Sequence, residues 1–231
     1  MKRDITTPVA RGIVAGGAVT PPQVGPFTTS ASGPRFDSGG VVIPNGTQKV
    51  TVAMKFNSSF AGNQGLFQIK PVANGAKDFF YVRMYTTNGT VYLWAADSAG
   101  ATPFTFKYTS PGKINPNTDY IFVASLDWTD GNGRVQLHTS IDDGVTWISI
   151  GNYPFPAPLS GSMGDAVVRF LTMNNSAGVP SYQFIGSVDW IKLYLAALPT
   201  GLIPAGAPEF EVTGPAAIAN LHSWKMGTDA A

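Results

Sequence analysis

The sharpest chemistry-bearing stretch of the chain is SIDDGVTW, Ser140 to Trp147. Its spacing, S-x-D-x-G-x-T-W, sets a carboxylate at Asp142, a glycine at Gly144, and Ser140, Thr146 and Trp147 around them. In a tight hairpin such a carboxylate accepts hydrogen bonds from turn amides, the glycine permits the turn, and the indole packs beneath it. That is turn chemistry, with no nucleophile or general acid in it. The remaining reactive inventory is thin. Cysteine is absent, so disulfides and thiolate metal sites are excluded. Histidine occurs only at His138 and His222, and glutamate only at Glu209 and Glu211. Glycoside hydrolysis needs paired carboxyl groups at one site, and the spacing nominates none. No Gly-x-Ser-x-Gly, phosphate-cradling loop or dinucleotide fingerprint stands in a credible context. Aromatic side chains are the other resource. Tyr81, Tyr85, Tyr92 and Trp94 fall opposite the apolar rows of their segments. There they either stack on sugar rings, form an interface, or supply the second half of a two-sheet core.

The elements that must position these groups are strands. In QKVTVAMKF, the residues Val50, Val52, Met54 and Phe56 share one face, and period two over this length marks a half-buried strand. The period returns at Phe80, Val82 and Met84, at Val91 and Leu93, and at Tyr120, Phe122, Ala124 and Leu126. Val135 and Leu137, Trp147 to Ile150, and Val167 to Met173 continue it. Tyr182 to Gly201, YQFIGSVDWIKLYLAALPTG, reads as one long closing strand and a turn. Between the runs stand turn signals at Asn88, Ser98, Asn115, Asp130 and Asp142, and Asn-Gly or Asp-Gly pairs supply the positive φ that tight hairpins require. Strands at this spacing predict a sandwich or barrel.

The 231 residues suffice for one large all-β domain with tails. Charged residues are only 13%, against about 25% in ordinary domains, so the surface is either covered by neighbours or built from Ser, Thr, Asn and Gly. The formal net charge is +1 with the Lys and Arg scattered, which disfavours nucleic acid and acidic membranes as partners. No run approaches the ~18 apolar residues of a membrane span, and the N-terminal residues do not read as a signal peptide. Residues 1–40, with Pro8, Pro21, Pro22, Pro26 and Pro34, predict an extended arm. Residues 41–198 are the sandwich, and 199–231 a C-terminal tail in which a short helix can start at Pro215.

The closing segment resembles the last strand of laminin-G-like, concanavalin-A-like β-sandwich domains. Phe184, Gly186, Val188, Asp189, Ile191, Leu193, Tyr194, Ala197 and Leu198 occupy the positions of that pattern. The stretch from Asn117 to Trp147 resembles the central hairpin of the same domains, so the likeness covers about residues 41–198. It implies an antiparallel two-sheet jelly roll. Members of this superfamily often bind calcium, which takes six to eight oxygens. Asp127, Asp130 and Asn132 on one hairpin are the candidates, with Asp142 and Asp143 on the next, and turn chemistry explains them equally. The superfamily's glucanases carry E-x-D-x-E on one strand, which is missing here. Its lyases use Arg, Gln, His and Tyr, of which the VQLH segment ending in His138 is a distant echo. The Ser140–Trp147 motif matches the Asp-box of sialidases, but in a single copy without propeller repeats.

Three functions follow as expectations. The first is a non-enzymatic virion structural protein of a bacteriophage, made in the host cytoplasm and placed on the capsid or tail. It docks on other virion proteins through its arm and tail, can associate with copies of itself, and displays a sandwich that binds host glycans as an added role. It requires no cofactor. The second is a lectin-like carbohydrate-binding module. The third, and least favoured, is a polysaccharide lyase or hydrolase.

Overall fold

A computed structural model of the chain describes residues 27–29, 35–38, 41–58, 62–72, 78–85, 88–102, 107–158, 161–171, 173–174, 180–182, 184–198, 202–203, 207–213 and 224–227. Every regular element among them is a strand. In chain order these are β1 Phe27–Thr29, β2 Arg35–Ser38, β3 Lys49–Ser58, β4 Asn63–Pro71, β5 Phe80–Tyr85, β6 Thr90–Ala95, β7 Lys107–Tyr108 and β8 Asp119–Asp127. The second half supplies β9 Arg134–Ser140, β10 Ile148–Pro154, β11 Ala166–Phe170, β12 Met173–Asn174, β13 Pro180–Ser181, β14 Gly186–Tyr194, β15 Phe210–Thr213 and β16 Trp224–Gly227.

The strands form an antiparallel two-sheet sandwich of the jelly-roll kind. The first sheet runs β1-β14-β3-β8-β9-β10, with β15 also on β14. The second runs β16-β2-β11-β4-β5-β6-β7. Pairing of β14 with β3 and of β11 with β4 interleaves the two ends of the chain, so neither half can complete a sheet alone. The core lies where the alternation puts it. Val50, Val52, Met54 and Phe56 from β3 and Phe122, Ala124 and Leu126 from β8 meet Phe80, Val82 and Met84 from β5 and Val91, Leu93 and Ala95 from β6. Aromatic edge-to-face contacts, Phe56 on Phe184 at 5.6 Å and Phe67 on Phe80 at 5.2 Å, fill the centre.

Three features depart from the sequence reading. The central strand β4 carries no simple alternation, because its register shifts between Gly65 and Phe67 and both Leu66 and Phe67 are buried. Such a bulge places two neighbours against one partner and breaks period two. The closing strand starts only at Gly186. Before it, Tyr182 sits at φ 58° and Phe184 drops into the core. The row read from Val167 to Met173 ends at Phe170, since Leu171 at φ 65° turns the chain out of the ladder. A second bulge, between Val188 and Trp190, explains why the side chains that β14 sends into the core are Val188, Ile191 and Leu193, while Tyr194 is buried on the outer face.

Gly186 shows why that lead-in needs glycine. Its φ is 153°, and a Cβ there would stand 2.0 Å from the Asn57 carbonyl oxygen and 2.8 Å from the Ser58 Cα. Pairing also reaches beyond residues 41–198. β1 and β2 of the N-terminal segment, and β15 and β16 of the C-terminal one, join the two sheets. Residues 1–26 and the expected helix after Pro215 lie outside the described residues.

Candidate functional site

The outer face of the second sheet concentrates the aromatic and cationic side chains. Along β5 the core residues Phe80, Val82 and Met84 alternate with Tyr81, Arg83 and Tyr85; along β6, Val91, Leu93 and Ala95 alternate with Tyr92 and Trp94. Antiparallel register then sets Tyr81 directly across from Trp94, and Arg83 across from Tyr92. The short edge strand β7 brings Tyr108 beside Tyr92. The four aromatics expected on this face are therefore together on it.

Their rings form an ordered surface. Tyr81 lies parallel to Tyr92 and to Trp94, each with ring centroids 6.4 Å apart and interplanar angles of 5° and 9°. Tyr108 meets Tyr92 edge-on at 4.5 Å. Tyr85 is 41% exposed and Tyr108 58%, whereas Tyr92 is buried beneath its neighbours. The guanidinium carbon of Arg83 lies 3.8 Å from the Tyr92 ring centroid and 4.6 Å from that of Tyr182, within the range of cation–π attraction.

Asp78 fixes one end of the surface. Gln68 Nε2 donates to its Oδ2 at 2.7 Å, and the Trp94 indole N–H donates to its backbone carbonyl at 3.3 Å. Burial raises the Asp78 pKa, opposed by the Gln68 bond and by the charges of Lys70 and Arg169. Burial likewise raises both phenols at the centre, Tyr81 and Tyr92, the latter to about 12. These hydroxyls stay protonated at neutral pH, so they can hydrogen-bond a ligand but cannot serve as bases there. The face thus carries parallel rings with protonated hydroxyls and a guanidinium beside them.

Arg83, Tyr108 and Tyr182 are members of this site that were not among the candidates read from the sequence. Arg83 stands between Tyr81 and Tyr85 in the alternating row, so its face was legible. Tyr182 arrives through the left-handed turn before β14, which no periodicity marks.

The Ser140–Trp147 hairpin lies elsewhere, between β9 and β10 of the first sheet. The Ser140 hydroxyl donates to Asp142 Oδ1 at 2.6 Å and accepts the Gly144 N–H at 2.9 Å, while the Thr146 N–H donates to Asp142 Oδ1 at 2.8 Å. Those donors, Ser140 first, hold the Asp142 pKa down to about 2. Asp143 at φ 56° and Gly144 at φ 88° form the turn. Trp147 packs on Ile121 and Val123 on the outer face of the first sheet, with Trp190, Ala196, Leu198 and Ile203.

The candidate oxygen ligands are engaged in turn and surface contacts. Asp127 accepts from the Thr129 amide and hydroxyl at 2.8 and 2.7 Å and faces Lys49 at 3.5 Å. Asp130 faces Arg134 Nε at 3.1 Å. Among the described residues, no group of three or more His, Asp or Glu side chains is gathered as a metal would need. His138 is on β9, half-buried on the outer face of the first sheet, and burial lowers its pKa. The sandwich thickness thus separates it from Tyr81 and Arg83, so the structure does not assemble a lyase-like His, Arg and Tyr set from these residues. Glu211 pairs with Lys192 at 3.1 Å and Glu209 is exposed; His222 lies outside the described residues.

No protein-family model matches the chain, and no curated protein matches it. Solved structures do resemble it in fold. A heptameric SAP-like pentraxin from Limulus polyphemus superposes with a TM-score of 0.55 at 16% identity, over 76% of this chain and 76% of that one. A candidate carbohydrate-binding protein from Bacteroides ovatus superposes with a TM-score of 0.53 at 9% identity, over 80% of this chain and 50% of that one. At such identities the likeness establishes the two-sheet jelly roll.

Proposed function

We propose that the protein is a non-catalytic carbohydrate-binding module whose ligand lies on the outer face of the second sheet. The observation that carries this reading is the aromatic row on that face, in which Tyr81 and Trp94 lie parallel across adjacent strands above a buried Tyr92 flanked by the exposed Tyr85 and Tyr108. Aromatic rings on a rigid sheet offer apolar area to the C–H face of a pyranose at little entropic cost, and the Tyr hydroxyls and Arg83 supply orienting hydrogen bonds. The carbohydrate-binding description of the Bacteroides ovatus protein agrees with it.

Attachment to a virion is a weaker reading of the same chain. Segments expected to dock elsewhere, Phe27–Thr29, Arg35–Ser38 and Phe210–Thr213, are instead paired within the sandwich's own sheets.

The test is a glycan array followed by calorimetric titration of the strongest binder. Trp94→Ala removes one ring of the surface and should weaken binding by about 1–2 kcal/mol, or roughly tenfold in Kd, as expected for loss of a stacked apolar contact. Unchanged affinity in a folded Trp94→Ala protein would move the site away from this face, and an array without hits would reject the reading.

A further inference from the structure

We infer that the sugar recognised on this face bears a carboxylate, and that Arg83 is the residue that selects it. The inference rests on the carbohydrate reading above and deepens it.

Arg83 is held in an unusual way. Tyr92 and Tyr182 pack on its guanidinium, and its Nε is buried without a hydrogen-bond partner. None of the ion pairs among the described residues involves it. The nearby acid Asp78 is turned to Gln68 at 2.7 Å. Guanidinium N–H donors lie in the plane of the group, so with rings on its faces and one contact to the Tyr92 hydroxyl, further donors remain at its edge. An edge presenting parallel N–H donors matches the two oxygens of a carboxylate. The surroundings favour the same charge: Lys70 and Arg169 project from the same face, on β4 and β11.

Position supports the assignment. Arg83 lies across from Tyr92 and one step along β5 from Tyr81, so a sugar stacked on the Tyr81 and Trp94 rings would bring a ring substituent to the guanidinium edge. A neutral sugar placed there would offer the guanidinium hydroxyl acceptors but no opposite charge. The stronger charge-assisted pair with a carboxylate is what discriminates acid from neutral glycans.

The test uses an array carrying neutral glycans and carboxylate-bearing glycans. The best acidic binder is then titrated beside its carboxyl-reduced form, in which the acid has become a primary alcohol. Wild type should prefer the acid by about tenfold to a hundredfold, the range of a charge-assisted hydrogen-bonded pair. Arg83→Gln should bring acid and alcohol to similar affinity, and Arg83→Lys, which keeps the charge but not the planar fork, should fall between. Equal binding of acid and alcohol by wild type would overturn the inference while leaving the carbohydrate reading in place, as would an acid preference that survives in Arg83→Gln. Binding of no saccharide would overturn both. If Arg83→Gln fails to fold, Arg83→Lys read against the same acid and alcohol decides: a full wild-type preference in it would overturn the role of the planar fork.

Discussion

Gly186→Ala should be among the most damaging single-methyl additions in this chain. Gly186 is paired on both sides, with Thr29 of β1 and Ser58 of β3, so the backbone cannot shift either way without breaking a ladder. Its φ of 153° is rarely adopted by an L side chain, and holding alanine there costs about 1–3 kcal/mol. The added methyl would also overlap the Asn57 carbonyl oxygen at 2.0 Å and crowd the Asn57 carbon at 3.0 Å. Forcing it in costs about 1–3 kcal/mol more. A combined loss of about 2–6 kcal/mol is a large share of a domain's usual 5–15 kcal/mol. Gly46→Ala is the matched control. Gly46 also has positive φ, 86°, but an added Cβ meets nothing within 4 Å, so only the backbone cost, about 1–2 kcal/mol, should appear. Urea unfolding followed by fluorescence reads both. A Gly186→Ala protein no less stable than Gly46→Ala would refute the claim that close approach of β14 to β3 selects glycine.

Two further outcomes follow. The Asp142 carboxylate is depressed from 3.8 to about 2 by the Ser140 hydroxyl and the Thr146 amide. Its contribution to turn stability is therefore complete above the ordinary value and is lost as pH falls through about 2. Carboxyl carbon shifts measured by NMR should titrate there, and a midpoint near 3.8 would mean that the turn's hydrogen bonds do not form in solution. Phe184 is fully buried against Phe56, so Phe184→Ala should destabilise by about 3–5 kcal/mol in the same urea assay; a loss under 1 kcal/mol would contradict its place in the core.

Legibility in the sequence followed the local period. The rows Val50–Phe56, Phe80–Met84 and Tyr120–Leu126 alternate cleanly, so both their core faces and the opposite positions of Tyr81, Tyr85, Tyr92 and Trp94 could be assigned from spacing alone. β4 was missed because its bulge at Gly65–Phe67 buries consecutive residues and erases the alternation. Tyr182 was misplaced in the closing strand because positive φ at a non-glycine residue leaves no mark in composition. The outer terminal strands were unreadable for another reason. β1 and β15 are short, and what holds them is β14, more than a hundred residues from β1 in sequence. Cross-strand stacking of Tyr81 with Trp94 and Tyr92 depends on register, which the turn at Asn88–Gly89 sets.

The most direct test of the account is to map saccharide binding on the protein by amide chemical-shift perturbation, using the strongest binder from the array. The account predicts shifts centred on Tyr81, Arg83, Tyr92, Trp94 and Tyr108, and little change at Asp127–Asn132 or Ser140–Trp147. Perturbation centred on those hairpins, with β5 and β6 unmoved, would contradict it.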